Sequence, residues 1–449
     1  MPSTIVFNGT DKKFYLWLLF FLLVIILRCI SIPTAYIGFI LVLIYSLFSI
    51  ENILKALLMS WFLVLINPAL APDFPATSLF RNLIILVSFF SLCIHSKKIN
   101  FGKIEPINFS LCFILIVLSF HSVLFSQYPI LSLLKLFSWF LTLFVCICCW
   151  NNLGSRSEKV FLQLTKGLLF LFFISLPLIF IHSVGFLRND TGFQGVFNHP
   201  QVFGPTSALL GVILFSQIAW SPNQKYMNYI IILLIFIMII LSQARTAGLA
   251  MILSILFTIL IWYFSNKKML FIKSKKFFFS LSFALFALIL TFPLIGPFIS
   301  NYIFKRNEAS NLVDAAQASR GGLVDDMLLN INNFPWTGIG FGVGSDMSSV
   351  ELVTDSIFGL PLSAAIEKGV LPIAVIEELG FLVGGIMYLW FFYLFKQSYK
   401  NYKTLPLFFV VILTNLGEFT FFSAGGLGLL FIITLGYSVA ARNKNYAAF

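Results

Sequence analysis

The chain consists largely of apolar runs about 17–25 residues long, separated by short polar loops. At 1.5 Å of rise per residue, each run is about as long as the hydrocarbon core of a bilayer is thick. A segment in that core must satisfy its own backbone N–H and C=O groups, so uniformly apolar runs of this length read as helices. About fourteen spans are expected, at 14–31, 33–49, 52–68, 80–96, 108–126, 131–150, 160–183, 203–220, 227–243, 246–265, 277–298, 379–397, 404–418 and 423–441. The tight hairpin of the first two is the least regular, and the range is 12–14. The expected fold is all-α, a polytopic transmembrane helical bundle. A hydrophobic content of 59%, only 10% charged residues and a mean hydropathy of +0.97 exclude a soluble globular domain.

The basic residues orient the bundle. With Lys12 and Lys13 in the cytoplasm, Lys55, the 97–103 lysines, Arg156 with Lys159, Lys225, the lysines of 267–276, Lys400 with Lys403, and Arg442 with Lys444 all fall on the same side. Cytoplasmic loops carry such an excess, so both termini are expected inside. The net charge of +12 is therefore explained by topology and does not point to nucleic acid. The first apolar run follows Asp11-Lys12-Lys13 and leads directly into a second, so it reads as an anchor and not a cleaved signal. Six cysteines lie within or beside apolar runs and read as small packing residues.

Five arginines remain on the outer side: Arg81, Arg188, Arg245, Arg306 and Arg320. Arginine is disfavoured in translocated loops, so such a set suits an anionic partner, a phosphate or diphosphate, that bidentate guanidinium groups can grip. Snorkelling to lipid phosphates is the alternative for each. Arg245 is the most telling, at the tight turn Ser242-Gln243-Ala244-Arg245-Thr246 between two apolar spans.

The chain divides into spans 1–11 (residues 1–304), one long outer segment (305–378) and the last three spans (379–449). Apolar residues recur at a helical rhythm over 311–333, as in an amphipathic helix lying on a membrane. The turn-rich stretch Phe334 to Gly344 follows, with glycines at 338, 340, 342 and 344 that allow a close backbone approach and would form a mobile cover with that helix. A second polar loop, 188–201, holds Asn198 and His199, which could face a sugar beside a phosphate. His182 is expected in the core. Glu367, next to Lys368 near the membrane re-entry, is a candidate general base, with a solvated loop pair as the alternative. No HExxH, Walker loop or GxSxG pattern occurs, and the outer carboxylates lack a metal spacing, so metal-independent chemistry without a cofactor is expected.

Four features then appear in order: Phe197-Asn198-His199-Pro200-Gln201 before a span; the Arg245 turn; Arg320 followed by Phe334-Pro335-Trp336-Thr337-Gly338-Ile339-Gly340-Phe341-Gly342; and Leu371 onward to Glu378-Leu379-Gly380. Over about residues 160–400 the chain resembles the O-antigen ligase and polymerase superfamily of bacterial membrane glycosyltransferases. The resemblance implies an undecaprenyl-diphosphate-linked glycan donor at the periplasmic face of the inner membrane. It makes Arg245 and Arg320 diphosphate contacts; their shared outer placement adds Arg188 and Arg81 as candidates, and Asn198, Trp336 and Lys368 are candidate glycan contacts. Where the family's ligases carry an activating His-Asn pair, this chain has Glu367-Lys368. Glu367, or else His199, is then the base, and a polymerase of exopolysaccharide or O-antigen is expected ahead of a ligase. Lipid-linked oligosaccharide, membrane lipids and polysaccharide export proteins are the implied partners. A transporter of lipid-linked oligosaccharide is the rival from another class; it should show inverted repeats and spans broken at mid-membrane.

Overall fold

The computed structural model describes residues 12–96, 106–187, 192–220, 226–265, 312–346, 352–354, 361–364, 368–400 and 403–440. Fourteen helices longer than one turn order these residues. They are α1 (Lys12–Ile30), α2 (Ile32–Ser46), α3 (Ile50–Val64), α4 (Thr77–His95), α5 (Pro106–Phe125), α6 (Pro129–Leu153), α7 (Ser157–Ser175), α8 (Pro200–Trp220), α9 (Tyr226–Leu241), α10 (Arg245–Phe264), α11 (Leu312–Asn333), α12 (Leu371–Lys400), α13 (Leu405–Thr414) and α14 (Gly426–Ala440). Every expected span coincides with a helix except 277–298, which lies outside the described residues. Seven helical segments among the described residues are long and apolar enough to cross a membrane, and four shorter apolar helices join them. Among the described residues, the one departure from all-α is a small antiparallel hairpin of β1 (Leu352–Thr354) and β2 (Pro361–Ala364), with Val353 opposite Ser363.

Burial separates inner from outer helices. Helix α3 buries every residue from Ile53 to Leu63, and in α14 nearly all are buried. In α8, 83% of the apolar window is enclosed, against 28% in α1 and α4. Helices apolar on all sides belong inside a bundle, whereas α1, α4 and α5 turn Leu, Ile and Phe side chains outward, as lipid-facing helices do. Packing of α6 against α14, α4 and α5, and of α10 against α13 and α8, closes the core.

The α1–α2 hairpin turns on one residue. Ser31 accepts a hydrogen bond from the Thr34 N–H through its hydroxyl, while the Ser31 N–H donates to Thr34 Oγ1 at 3.0 Å. This reciprocal cap satisfies free donors at the start of α2, and Pro33 occupies a first-turn position that needs no N–H.

The two ends of the bundle differ. At one end Arg156 pairs with Glu51 at 2.9 Å, and Thr404 bonds to the carbonyl of Ser438. At the other end the loops expected on the outer face are sewn together. Asn67 donates to the carbonyls of Val184 and Gly195 at 2.8 and 2.7 Å, and its N–H bonds Val196. Phe193 N–H reaches Leu241, joining the 192–199 loop to the turn before Arg245.

Helix α12 begins at Leu371, so part of the segment expected as loop up to 378 is helical. The helix breaks at Gly380 (φ 68°, ψ 175°), a conformation open essentially to glycine alone. At the break, Phe381 N–H turns away from its own helix to the carbonyl of Pro335. The carbonyls of Glu377 and Glu378 accept instead from Ile339 and Gly340, each at 2.9 Å. The 334–345 stretch, expected as a mobile cover, is thereby stitched into the bundle, with Ile339, Phe341 and Val343 fully buried. A Cβ on residue 380 would lie 2.2 Å from Trp336 O. Gly380→Ala is expected to lose at least the 1–3 kcal/mol, roughly, of a forced backbone conformation. An unchanged melting temperature in detergent would contradict this.

Candidate functional site

A buried ionic cluster organises the end of the bundle expected on the outer face. Lys368 Nζ lies 2.7 Å from Glu377 Oε2 and 3.1 Å from Glu378 Oε1, all three side chains fully enclosed. Charges removed from water in this way need both a counter-ion and full hydrogen bonding. Asn330 of α11 donates to Glu377 Oε1 at 2.8 Å and to the Ser345 carbonyl, and the Ser345 hydroxyl reaches Glu377 Oε2 at 3.1 Å. Glu378 Oε2 accepts the N–H of Gly342 at 2.7 Å. One lysine thus joins α12, α11 and the glycine loop. Lys368, expected at the glycan, is engaged by Glu377 and Glu378. Met327 and Asn330 are the buried residues of α11, while Leu328 and Leu329 are exposed.

Two further residues clamp the glycine loop from the α5–α6 corner. His121 Nε2 donates to Thr337 O at 2.5 Å, and Lys135 Nζ donates to Gly342 O at 2.7 Å. Gln127 N–H bonds Ile339 O. Asn415, after α13, organises the next loop: its Oδ1 accepts from the N–H groups of Thr420 and Phe421 at 2.9 and 2.8 Å.

A cavity of about 630 Å³ opens beside these elements, between α4, α6, Gly342 and the 419–427 loop. Arg81, Asn82 and Lys135 supply its polar end. Arg81 is partly buried, its guanidinium against Gly425 and 3.1 Å from Asn82 Oδ1.

Arg245 starts α10 and is partly buried; the residue before it but one, Gln243, has a left-handed backbone (φ 55°). Its turn packs directly on the start of α8, where Gly204 leaves no room for a side chain beside Ala244. Gly417 meets Thr246 in the same close manner. Asn198 Oδ1, Gln201 Oε1 and Thr246 Oγ1 are buried here with no hydrogen-bond partner among the described residues. His199 Nδ1 accepts the Gln201 N–H at 3.0 Å, so in the neutral ring the proton sits on Nε2. In that state Nε2 is a donor.

The fold therefore brings Arg81, Asn198, His199, Arg245, Trp336 and Lys368 to one end of the bundle. Arg81 lines the cavity; Arg245 and His199 do not. Trp336 is 62% exposed, edge-on to Phe381. Arg320 lies in α11, its side chain outside the described residues, as are Arg188, Arg306 and Glu367 altogether. His182, expected in the core, is exposed and stacks on Phe186. Lys135, Glu377, Asn330 and His121 were not singled out from the sequence. Lys135 had a legible signal, because an ionisable residue inside an apolar span is a functional candidate by default. His121, inside the expected span 108–126, had the same signal, and Glu377 stood beside Glu378 at the membrane re-entry; Asn330 had none.

Residues 230–358 match the protein-family profile described as O-antigen ligase. Over that segment the chain is similar to the O-antigen ligase family. The resemblance to the O-antigen ligase and polymerase superfamily is thereby supported. The matched segment runs from α9 through the Arg245 turn and the glycine loop to β1. A comparison with curated proteins gives no match.

Lys368→Met would leave two enclosed carboxylates without their cation, a loss of roughly 3–5 kcal/mol. The expected result is a lower unfolding temperature in detergent together with new protease cleavage within 334–345. Resistance equal to the parent's would remove the cluster from its organising role.

Proposed function

We propose that the chain is a metal-independent glycosyltransferase that polymerises undecaprenyl-diphosphate-linked oligosaccharide repeat units. It would work at the periplasmic face of the bacterial inner membrane, with both termini in the cytoplasm and 305–378 outside. One observation carries this reading: the Arg245 turn packs against the start of α8, where Asn198, Gln201 and Thr246 hold enclosed polar oxygens without partners. Unsatisfied buried acceptors are rare, and sugar hydroxyls supply the donors they lack. A cation beside hydroxyl-seeking groups fits the junction of a diphosphate and its sugar.

In this mechanism an acceptor hydroxyl attacks the anomeric carbon of the donor, and the bond from that carbon to the diphosphate oxygen breaks. The electron pair leaves on the diphosphate, where Arg245 and Arg320, with Arg188 and Arg81, neutralise the growing charge. Glu367 takes the hydroxyl proton. His199, its Nδ1 occupied, contributes a hydrogen bond from Nε2. Asn198 and the exposed ring of Trp336 hold the glycan, and Lys368 serves as the internal counter-ion of Glu377 and Glu378. A transporter would also use outer arginines, and α12 is a broken helix. That break, however, is filled by the backbone of the 334–345 loop, so it leaves no open path of the kind transport needs.

The test is purified protein in liposomes with a lipid-linked repeat unit. A ladder of longer glycans and released undecaprenyl diphosphate are expected. Transfer to a different lipid acceptor would identify a ligase, and movement across the bilayer without new bonds a transporter. Arg245→Ala is expected to slow transfer by about 100-fold or more, and Glu367→Gln by about 10²–10⁴-fold. Arg245→Ala and Arg320→Ala proteins that insert normally and still build full-length polymer would refute the mechanism.

A further inference from the structure

Asn67, in the link between α3 and α4, is fully buried and engages every donor it has and both of its carbonyl oxygens. Its side-chain amide donates to Val184 O and Gly195 O at 2.8 and 2.7 Å, and its Oδ1 accepts the Ala69 N–H at 2.9 Å. Its own N–H reaches Val196 O and its carbonyl accepts from Leu70, each at 2.9 Å. Val184 and Gly195 stand on the two limbs of one loop, so a single amide closes it; Gln194 N–H, bonded to Gly185 O at 2.8 Å, closes it a second time. Arg28 of α1 fixes the far side of the Asn67 link. Its Nη1 donates to Pro72 O at 2.7 Å, and its guanidinium lies 5.6 Å from the Phe74 ring centroid.

This link sets the register of the segment that carries Asn198. Ile66 and Phe197 pair in an isolated antiparallel bridge. The Asn67 N–H to Val196 O bond flanks the bridge on one side, and the Asn198 N–H to Leu65 O bond, at 2.8 Å, flanks it on the other. Phe197 packs into the core against Trp61, Phe62 and Phe203, at centroid distances of 5.7, 5.5 and 6.1 Å. Consecutive side chains of an extended segment alternate in face, so burying Phe197 sends Asn198 the other way. A slip of one residue would exchange the two.

The side chain of Asn198 is left over from all of this bonding. Asparagine is a favoured residue for capping a helix, yet α8 is capped without it. His199 Nδ1 accepts the Gln201 N–H at 3.0 Å, the His199 carbonyl accepts from Val202 and Phe203, and Pro200 has no N–H to satisfy. Asn198 Oδ1 remains enclosed without a partner among the described residues. The backbone of residue 198 is pinned while its side-chain acceptor stays open.

We propose that Asn67 is a positioning residue of the glycan site, setting the place of Asn198 through the two carbonyls it holds and the bridge it flanks. The inference rests on the transferase reading, in which Asn198 meets the sugar, and it adds to that site a residue that touches no substrate. The two amide donors carry the role, because they alone tie both limbs of the loop to one point.

The test is a double-mutant cycle on the full chain in detergent. The probe is the undecaprenyl-diphosphate-linked repeat unit extracted from cells that make the protein. Asn67→Asp keeps the shape and the acceptor for Ala69, and it puts an oxygen where the donating nitrogen stood. It should weaken probe binding about tenfold and slow transfer by about 10–100-fold. Combined with Asn198→Ala, it should lose no more than Asn198→Ala alone, because the first change acts through the second residue. A role in stability alone gives additive losses. The parent protein supplies a second measurement that needs no variant. Its 193–198 amides should resist hydrogen exchange without the probe and gain no protection when the probe binds. Parent-like binding by Asn67→Asp, additive losses, or amides protected only in the presence of probe would each overturn the proposal. A parent that binds without transferring removes the transferase reading, and the cycle read on binding then decides this one. Additive losses in a parent that transfers do the reverse. A parent that binds no probe removes both.

Discussion

One end of the helical bundle depends on an exchange of backbone hydrogen bonds at Gly380. An unbroken helix would use the carbonyls of Glu377 and Glu378 for its own next turn. Here glycine's freedom at φ 68° releases them, and Ile339 and Gly340 of a distant loop take their place. A loop buried without partners would leave several polar groups stranded in an apolar setting, each costing about 1–3 kcal/mol. The exchange removes that penalty and fixes the loop's register to within one residue.

The ionic cluster of Lys368, Glu377 and Glu378 reinforces the same junction from the side-chain level. Such a cluster contributes little net stability over a well-packed apolar substitute, yet it discriminates strongly against misplacement, because any shift leaves a charge unpaired. It also carries position outward. Glu378 holds the N–H of Gly342, and the carbonyl of Gly342 holds Lys135 at the edge of the cavity. The break in α12 and the location of a cation are therefore parts of one connected arrangement.

Around this junction the outer loops are tied by side-chain amides. Asn67 secures the 184–196 segment and Asn415 the 420–421 turn. An amide can donate and accept at once, so a single residue closes a loop where water is scarce. Rigid loops are what a transferase needs if it is to hold a flexible lipid-borne glycan in a reactive pose. The O-antigen ligase match covers the Arg245 turn and the glycine loop, two of the elements held in this way.

Much of the architecture was legible in the chain itself. The length and uniform apolarity of the runs dictated helices, because a bilayer permits no other way to satisfy a backbone over that distance. Basic residues such as Lys55 and Arg156 separated from Arg81 and Arg245 along the sequence, and the folded bundle places them at opposite ends. Glycines 338, 340 and 342 announced a close backbone approach. They could not say to what: Gly338 meets the broken helix at Glu378, Gly340 meets Ser126 and Gly342 meets Lys135. The pairing of Lys368 with Glu377 and Glu378, the orientation of the His199 ring and the meeting of Lys135 with Arg81 were decided only in three dimensions. Periodicity and charge sidedness are local properties that one chain displays, whereas a buried ion pair or a cavity joins residues tens or hundreds of positions apart. Those contacts exist only once the helices have packed.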